Sequence, residues 1–206
     1  MDSPYNMKWN ALKNKRIVIL ATETSWLEHE TQHYFWKKPR IIQLSYRVLE
    51  IWDDWTVKLV KKPSETYRYT DADVTPWVFR NAQKNRIKPG KADFNNKSEL
   101  FKDLEELNKD SNTYFVWHNL DFDLDRLSDA WLKLDRDRAI STDLVGCALL
   151  PVWPKNHSQE AIQEAFEPIQ HAIEKLKEDE WIKWAHHNAT IDVLELQETL
   201  WYLINH

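Results

Sequence analysis

Glycine and cysteine are scarce in this sequence of 206 residues, which contains two Gly and one Cys. Gly90 and Gly146 alone cannot build a P-loop or a Rossmann phosphate loop, because both loops need several glycines at fixed spacing. The lone Cys147 excludes an internal disulfide and favours a reducing compartment. No apolar run approaches the roughly 20 residues of a membrane span, and the N-terminal MDSPYNMKWN lacks the apolar core of a signal peptide. We therefore expect a cytoplasmic protein without a membrane partner.

Positive charge is also in deficit, since 28 basic side chains face 33 acidic ones and the net charge is −5. This balance excludes a basic nucleic-acid coat protein. An acidic enzyme can still bind nucleic acid through a local groove, particularly where bound cations offset its carboxylates. With 42% hydrophobic and 30% charged residues the chain is globular rather than disordered. We expect a single domain over residues 1–206, with 1–15 as an N-terminal extension.

The hydrophobic pattern predicts a mixture of strands and helices. Apolar or alternating segments predict strands at 16–20, 41–52, 55–62, 113–119 and 138–144. Capped or amphipathic segments predict helices at 74–86, 96–110, 124–134, 158–180 and 188–204, with Thr75 and Ser98 as caps and Pro168 bending or dividing the fourth helix. Three strands, then helices alternating with two more strands, indicate an α/β sheet with helices packed on it.

Acidic residues stand at three separated places along this pattern. Glu23 ends the first strand, and Ala21 lies two residues earlier, where a carboxylate would point to the same side. The segment 118–125 offers three aspartates directly after an apolar strand. His187 precedes Asp192 by five residues at the start of the last helix. Each place taken singly has an ordinary explanation as a turn, a cap or a surface charge. Their order along an α/β chain favours a shared site.

The first of these places resembles the opening motif of a known family. ATETSW (21–26) is similar to the Asp-x-Glu-Thr motif of the DEDD exonucleases, the DnaQ-like 3′–5′ exonucleases, with Ala21 in place of the first Asp. RIIQLSYRVLE (40–50) is similar to the strand that follows this motif in the family. The resemblance spans about residues 16 to 205, nearly the whole chain.

The other two places resemble the remaining family motifs. HNLDFDLDRL (118–127) is similar to His-Asn-x-x-Phe-Asp, and the match selects Asp123 over Asp121 and Asp125. HNATID (187–192) resembles His-x-Ala-x-x-Asp, the most specific of the motifs, and selects His187 and Asp192 as the pair of the His-type (DEDDh) members.

The resemblance implies an RNase H-like α/β fold, a five-stranded mixed β-sheet flanked by α-helices. It also implies two divalent metal ions, Mg²⁺ or Mn²⁺, roughly 4 Å apart. Glu23, Asp123 and Asp192 would hold them. His187 would take the proton of the attacking water, since an imidazole titrates near pH 6.5. Asp143 would support the site without binding metal. The implied substrate is the 3′ end of single-stranded DNA or RNA.

The same resemblance implies substrate contacts at Thr24, Trp26, Leu27, His118 and Asn119. Trp26 and Leu27 follow the first motif, where a base can stack on an apolar side chain for about 1–3 kcal/mol. Core packing is the competing explanation for Trp26, because the chain has 12 Trp. The aromatic and basic segment 33–40 suits contact with a single-stranded backbone, and a solvated loop explains it equally well.

Ala21 replaces a residue that binds both metals in the family, so this chain should have lost most metal affinity and most activity. We favour an engineered inactive variant, because Glu23, Asp123, Asp192 and His187 remain intact. The alternative is a natural pseudo-exonuclease that acts as a nucleic-acid- or nucleotide-binding module. A third interpretation, an α/β interaction domain with chance acids, predicts that the three acids lie far apart. The motifs leave the oligomeric state open, and a homodimer or a larger complex is compatible with them.

Overall fold

The computed structural model describes residues 12–25, 39–54, 56–61, 64–69, 74–84, 87–118, 120–142, 167–179 and 188–205. The strands are β1 (Lys15–Thr24), β2 (Ile41–Ile51), β3 (Val57–Lys61), β4 (Ser64–Thr66), β5 (Thr113–Trp117) and β6 (Ala139–Ser141). The helices are α1 (Pro76–Lys84), α2 (Glu99–Lys109), α3 (Leu120–Asp129), α4 (Glu167–Asp179) and α5 (Ala189–Asn205), with a short 3₁₀ helix at Arg136–Arg138. None of the helices in these ranges has the length and apolarity needed to cross a membrane.

The sheet is mixed, with the strand order β3-β2-β1-β5-β6. β2 is antiparallel to β1 and β3, whereas β5 runs parallel to both β1 and β6. β4 pairs with β2 at Gln43–Ser45, beyond the Val48–Ile51 segment that pairs with β3. Because β1 occupies the other edge of β2, β3 and β4 together form one interrupted outer strand. The expected mixed sheet flanked by helices is confirmed, but the described residues form six strands and not five, because two short strands pair with the outer edge of β2.

Alternating side chains of β1 enter two separate cores on the two faces of the sheet. Ile17, Ile19 and Ala21 pack against α5. Val18 and Leu20 belong to the opposite core, which α2 and α3 cover. The β1 side chains Ile17 to Leu20 are at most 1% exposed, so β1 is the buried centre of the fold. Residues at the end of this strand are consequently held between helices from both layers.

Helix boundaries differ from the sequence prediction most clearly at α3. The pattern predicted a helix over 124–134, but α3 begins at Leu120 and ends at Asp129. Its first turn contains aspartates, which suit the positive end of a helix dipole although they look like loop residues in the sequence. The helix ends early because Trp131 adopts a left-handed φ of 72°. Leu132 N–H then donates to the Leu127 carbonyl at 2.9 Å, as in a Schellman turn.

The other predicted helices need smaller corrections. Thr75 caps α1, since its Oγ1 accepts a hydrogen bond from the Val78 N–H at 3.2 Å. Ser98 precedes α2 but makes no capping bond, because its Oγ contacts Glu65 instead. Pro168 lies in the first turn of α4, where its missing N–H costs nothing. The predicted helical residues 158–166 and 180 lie outside the described residues. Residues 143 and 144 of the strand predicted at 138–144 also lie outside them.

Candidate functional site

Ala21 and Glu23 lie on the same face at the C-terminal end of β1, opposite Ser45 and Gln43 of β2. The register between β1 and β2 shifts between Glu23 and Thr24. Such irregularities bend a strand and redirect its side chains, and they are frequent next to functional sites. Glu23 is half-buried at this point. It therefore projects toward the α5 side of the sheet, in the direction that the strand alternation requires.

Asp123 comes from the first turn of α3 and is 7% exposed. Its carboxylate accepts a short hydrogen bond from the Thr22 hydroxyl. Asp121 and Asp125, its neighbours in the same motif, are exposed, and Asp121 forms an ion pair with Arg136. Asp123 is therefore the one aspartate of this group that the fold turns toward the end of β1.

Asp192 lies in the first turn of α5, and a buried amide fixes this helix end to the sheet. Gln43 Oε1 accepts a hydrogen bond from the Ala189 N–H at 2.9 Å, and Gln43 Nε2 donates to Asn188 Oδ1 at 3.1 Å. Asn188 caps the helix itself, because its Oδ1 also accepts from the Thr190 N–H at 3.0 Å. Since Gln43 is paired with Glu23 across the strands, one residue pair ties the helix end to the acidic position.

Glu23 interacts with each of the other two acids. The carboxyl groups of Glu23 and Asp192 are hydrogen-bonded, which requires a shared proton. Loss of solvent raises the pKa of Glu23 to about 7, and this hydrogen bond partly offsets the rise. Burial also raises the pKa of Asp123 to about 7, where the Thr22 hydrogen bond lowers it and the charge of Glu23 raises it further. Glu23 of β1 is thus near Asp192 of α5 and near Asp123 of α3, contrary to the interpretation that the acids lie far apart.

Ala21 lies beside this cluster, packed in the same apolar group as Ala189 and Val193 of α5. An all-carboxylate donor set matches the preference of hard divalent cations for oxygen ligands. In the described part of the chain, however, no group of three or more His, Cys, Asp or Glu residues is arranged to hold a metal ion as it stands. The donor chemistry therefore fits a divalent cation, whereas the three carboxylates as they stand do not form a metal-binding arrangement.

Of the remaining predicted site residues, the structure describes Thr24 and His118. Thr24 is buried at the end of β1. His118 follows β5 at the same sheet edge, and its Nδ1 lies 3.1 Å from Thr142 Oγ1. This contact orients the imidazole against β6. The predicted contacts at Trp26, Leu27 and Asn119, the predicted base His187 and the supporting Asp143 lie outside the described residues.

Sequence reasoning missed Thr22, Gln43 and Asn188, which hold the acids in place. Each had a signal. Thr22 occupies the middle position of the first motif, so strand alternation points it to the face opposite Glu23. Gln43 is an amide inside an apolar strand, and a buried polar residue needs partners. Asn188 precedes the last helix with the composition of an N-cap.

Comparison with known proteins identifies the fold. No protein-family model and no curated protein matches the chain. Among solved structures, E. coli exonuclease I in complex with a dT13 oligonucleotide has a TM-score of 0.54 at 14% identity, over 90% of this chain and 40% of that one. A product-bound structure of exonuclease I gives 0.56 at 14% identity, over 94% and 44%. The structure titled ExoI/SSB-Ct complex gives 0.52 at 13% identity, over 94% and 43%.

These similarities define an RNase H-like α/β fold for this chain. The chain spans less than half the length of these exonuclease I chains. It covers 40% of the chain in the dT13 complex and 44% of the chain in the product-bound structure. At identities of 13–14% the likeness concerns the fold alone.

Proposed function

We propose that this chain is a metal-dependent 3′–5′ exonuclease of the DEDDh type, inactivated by the alanine at position 21. Its substrate would be the 3′ end of single-stranded DNA or RNA. The observation that supports the proposal is the interaction of Glu23 with both Asp123 and Asp192, since the three acids come from three motifs on three separate elements. The fold similarity to exonuclease I, solved with a dT13 oligonucleotide, supports the same class of substrate.

The buried acids explain why such a site would need cations. Loss of solvent raises the pKa of both Glu23 and Asp123 to about 7, and the charge of Glu23 raises that of Asp123 further. An incoming phosphate would add more negative charge to this place. Glu23, Asp123 and Asp192 would hold divalent cations, which supply positive charge against the phosphate and lower the pKa of water.

The chain's own residues would then have the following tasks. Thr22 keeps the Asp123 carboxylate oriented, and Gln43 keeps the first turn of α5, with Asp192, against the sheet. Water would add across the terminal P–O3′ bond, releasing a nucleoside 5′-monophosphate and leaving a free 3′-hydroxyl on the shortened strand. His187, directly before Asn188, would accept the proton of that water.

Restoration of the missing acid tests the proposal. We expect Ala21→Asp to release mononucleotides from the 3′ end of a 5′-labelled single strand in Mg²⁺ or Mn²⁺, at least 100-fold faster than the parent chain. Ala21→Asn, with the same shape and no charge, should stay inactive, and so should Ala21→Asp combined with His187→Ala. A folded Ala21→Asp protein without activity on either DNA or RNA at any cation concentration would contradict the exonuclease proposal.

One observation favours a second candidate, a natural pseudo-exonuclease that binds nucleic acid or nucleotides. Ala21 is 9% exposed and packs among Ala189 and Val193, so the alanine is well accommodated in the core next to the acids. In that case Ala21→Asp would gain neither activity nor cation affinity, while the parent chain would still bind a single strand.

A further inference from the structure

A second feature lies beside the carboxylates, a cavity of about 330 Å³ lined by Arg40, Arg68 and Arg126. Three arginines line this one cavity although the chain has a net charge of −5. Arginine is the residue best suited to phosphate, because its planar fork gives two parallel N–H donors. Ile41 and Phe94 form the apolar part of the same wall.

Two elements, α3 and β2, connect the lining of this cavity to the acids Asp123 and Glu23. On α3, Arg126 follows Asp123 by three residues, so both side chains lie on one side of the helix, about one turn apart. On β2, the carbonyl of Arg40 accepts a hydrogen bond from the Ser25 N–H at 2.8 Å, and Ser25 lies two residues beyond Glu23. Two strand residues correspond to about 7 Å. The cavity therefore lies on the α3 side, about one helical turn along α3 and about two strand residues along β1 from the acids.

The charges in the cavity favour an anion. Asp93 and Asp129 also line it, so three arginines face two carboxylates. Asp93 is engaged by Arg68 at 2.6 Å. Asp129 holds Arg126 only loosely, at 3.5 Å from its Nη1.

Of the three arginines, Arg126 has the side chain that is best held in place to bind an anion. Its side chain is 16% exposed, and its guanidinium lies 5.6 Å from the centre of the Phe122 ring. Within the described part of the chain its buried Nε–H has no hydrogen-bond partner. A partly buried guanidinium that is packed on a ring loses little conformational freedom when it binds an anion.

We propose that this arginine cavity binds a backbone phosphate of the single strand whose 3′ end lies at the carboxylates. The inference rests on the proposed function, and it adds a phosphate subsite one or two nucleotides from the end. Arg126 and Arg40 would contact the phosphate oxygens, with Arg68 adding charge. The cavity thus supplies the positive charge that the acidic site and the acidic whole molecule lack.

The test measures binding of a 5′-fluorescent oligo(dT) with a free 3′-hydroxyl to the full parent chain by anisotropy, at several salt concentrations in Mn²⁺. Arg126→Gln should weaken binding about tenfold and lower the salt slope by roughly 0.7, the value for one contact to a single strand. Arg40→Gln, an exposed side chain whose backbone contacts with Ser25 are retained, should weaken it about threefold. Arg16→Gln is the matched control, because Arg16 pairs with Asp110 at the other end of β1 and should leave binding unchanged.

A scan of the strand with single uncharged methylphosphonate linkages identifies the ligand. One linkage near the 3′ end should weaken binding to the parent chain about tenfold and have no further effect on Arg126→Gln. A flat scan, or equal binding by the parent and both arginine variants, would overturn the subsite and leave the exonuclease proposal intact. Displacement of the strand by inorganic phosphate together with a flat scan would assign the cavity to a free anion, also against the proposal. A parent chain that binds no strand at all would contradict both.

Discussion

At the residue scale, the proposed function depends on the alanine at position 21. The β1 alternation places its Cβ on the face of Glu23, and its neighbours Ala189 and Val193 belong to the first turns of α5. A carboxylate at this position would pack against α5 and would lie on the same strand face as Glu23, whose pKa is already raised. Such a group is unfavourable without a cation, and favourable with one.

The added carboxylate of Ala21→Asp should lower the stability of the metal-free protein. In EDTA we expect the variant to unfold with a free energy about 1–3 kcal/mol lower than that of the parent chain, because a fourth acid is buried without a partner. Ala21→Asn is the control for shape and should lose less. Urea denaturation at pH 7 measures both. If the two variants were equally stable in EDTA, the acids would not be close enough to repel an added charge.

The pH dependence of unfolding reports on the same acids. The folded pKa values of Glu23 and Asp123 are about 7, above the ordinary values of 4.5 and 3.8. The folded state therefore holds protons that the unfolded chain releases, and the free energy of unfolding falls as pH rises from about 4 to 7. At about 1.4 kcal/mol per pKa unit, Glu23 contributes at most about 3–4 kcal/mol and Asp123 at most about 4–5 kcal/mol. Glu23→Gln should flatten this slope in metal-free urea titrations.

Asp110 provides the control for that slope. Its pKa is lowered, chiefly by the hydrogen bond from the Asn112 N–H, so its contribution to stability is present at neutral pH and lost in acid. Asp110→Asn should leave the slope between pH 4 and 7 unchanged. A Glu23→Gln protein with the parent's slope would show that Glu23 titrates normally and is not part of a buried acid cluster.

At the element scale, the relation between β2 and α5 determines where Asp192 lies. Two amide contacts tie this helix to the strand. Gln43 binds the helix start through Ala189 and Asn188, and Gln197 binds Arg47 further along, with 2.6 Å between Oε1 and Nη1. Only the first contact is near the acids, so the two glutamines separate a local effect on the site from a general effect on stability.

Gln43→Ala should lower the free energy of unfolding by about 1–3 kcal/mol, because it leaves buried polar groups without a partner. In the Ala21→Asp background it should also weaken Mn²⁺ binding about tenfold, since the first turn of α5 is no longer fixed. Gln197→Ala is the matched control, and it should destabilise without changing Mn²⁺ affinity. Equal Mn²⁺ affinity in both variants would show that Gln43 is structural only. Calorimetry and urea denaturation together give both quantities.

At the scale of the whole molecule, the sequence predicted the order of strands and helices better than it predicted the hydrogen bonds between their side chains. The apolar run 16–20 and the alternation of strands and helices predicted the sheet, because burial dictates these patterns. Motif resemblance predicted which of the aspartates after β5 turns inward. The roles of Thr22 and Gln43 could not be read in the same way, since a hydrogen bond across more than 100 residues depends on the register and packing of β1, α3 and α5. The early end of α3 was missed because a left-handed tryptophan has no sequence signature.

The central proposal is that β1, α3 and α5 supply the acids of one cation site, to which an acid at position 21 would belong. Calorimetric titration with Mn²⁺ tests it most directly. We expect Ala21→Asp to bind Mn²⁺ at least 100-fold more tightly than the parent chain. The further changes Glu23→Gln, Asp123→Asn and Asp192→Asn, each made singly in that background, should each remove most of the gain. Mn²⁺ affinity that Ala21→Asp does not raise, or that is unaffected by one of the three acids in the folded protein, would contradict the shared site.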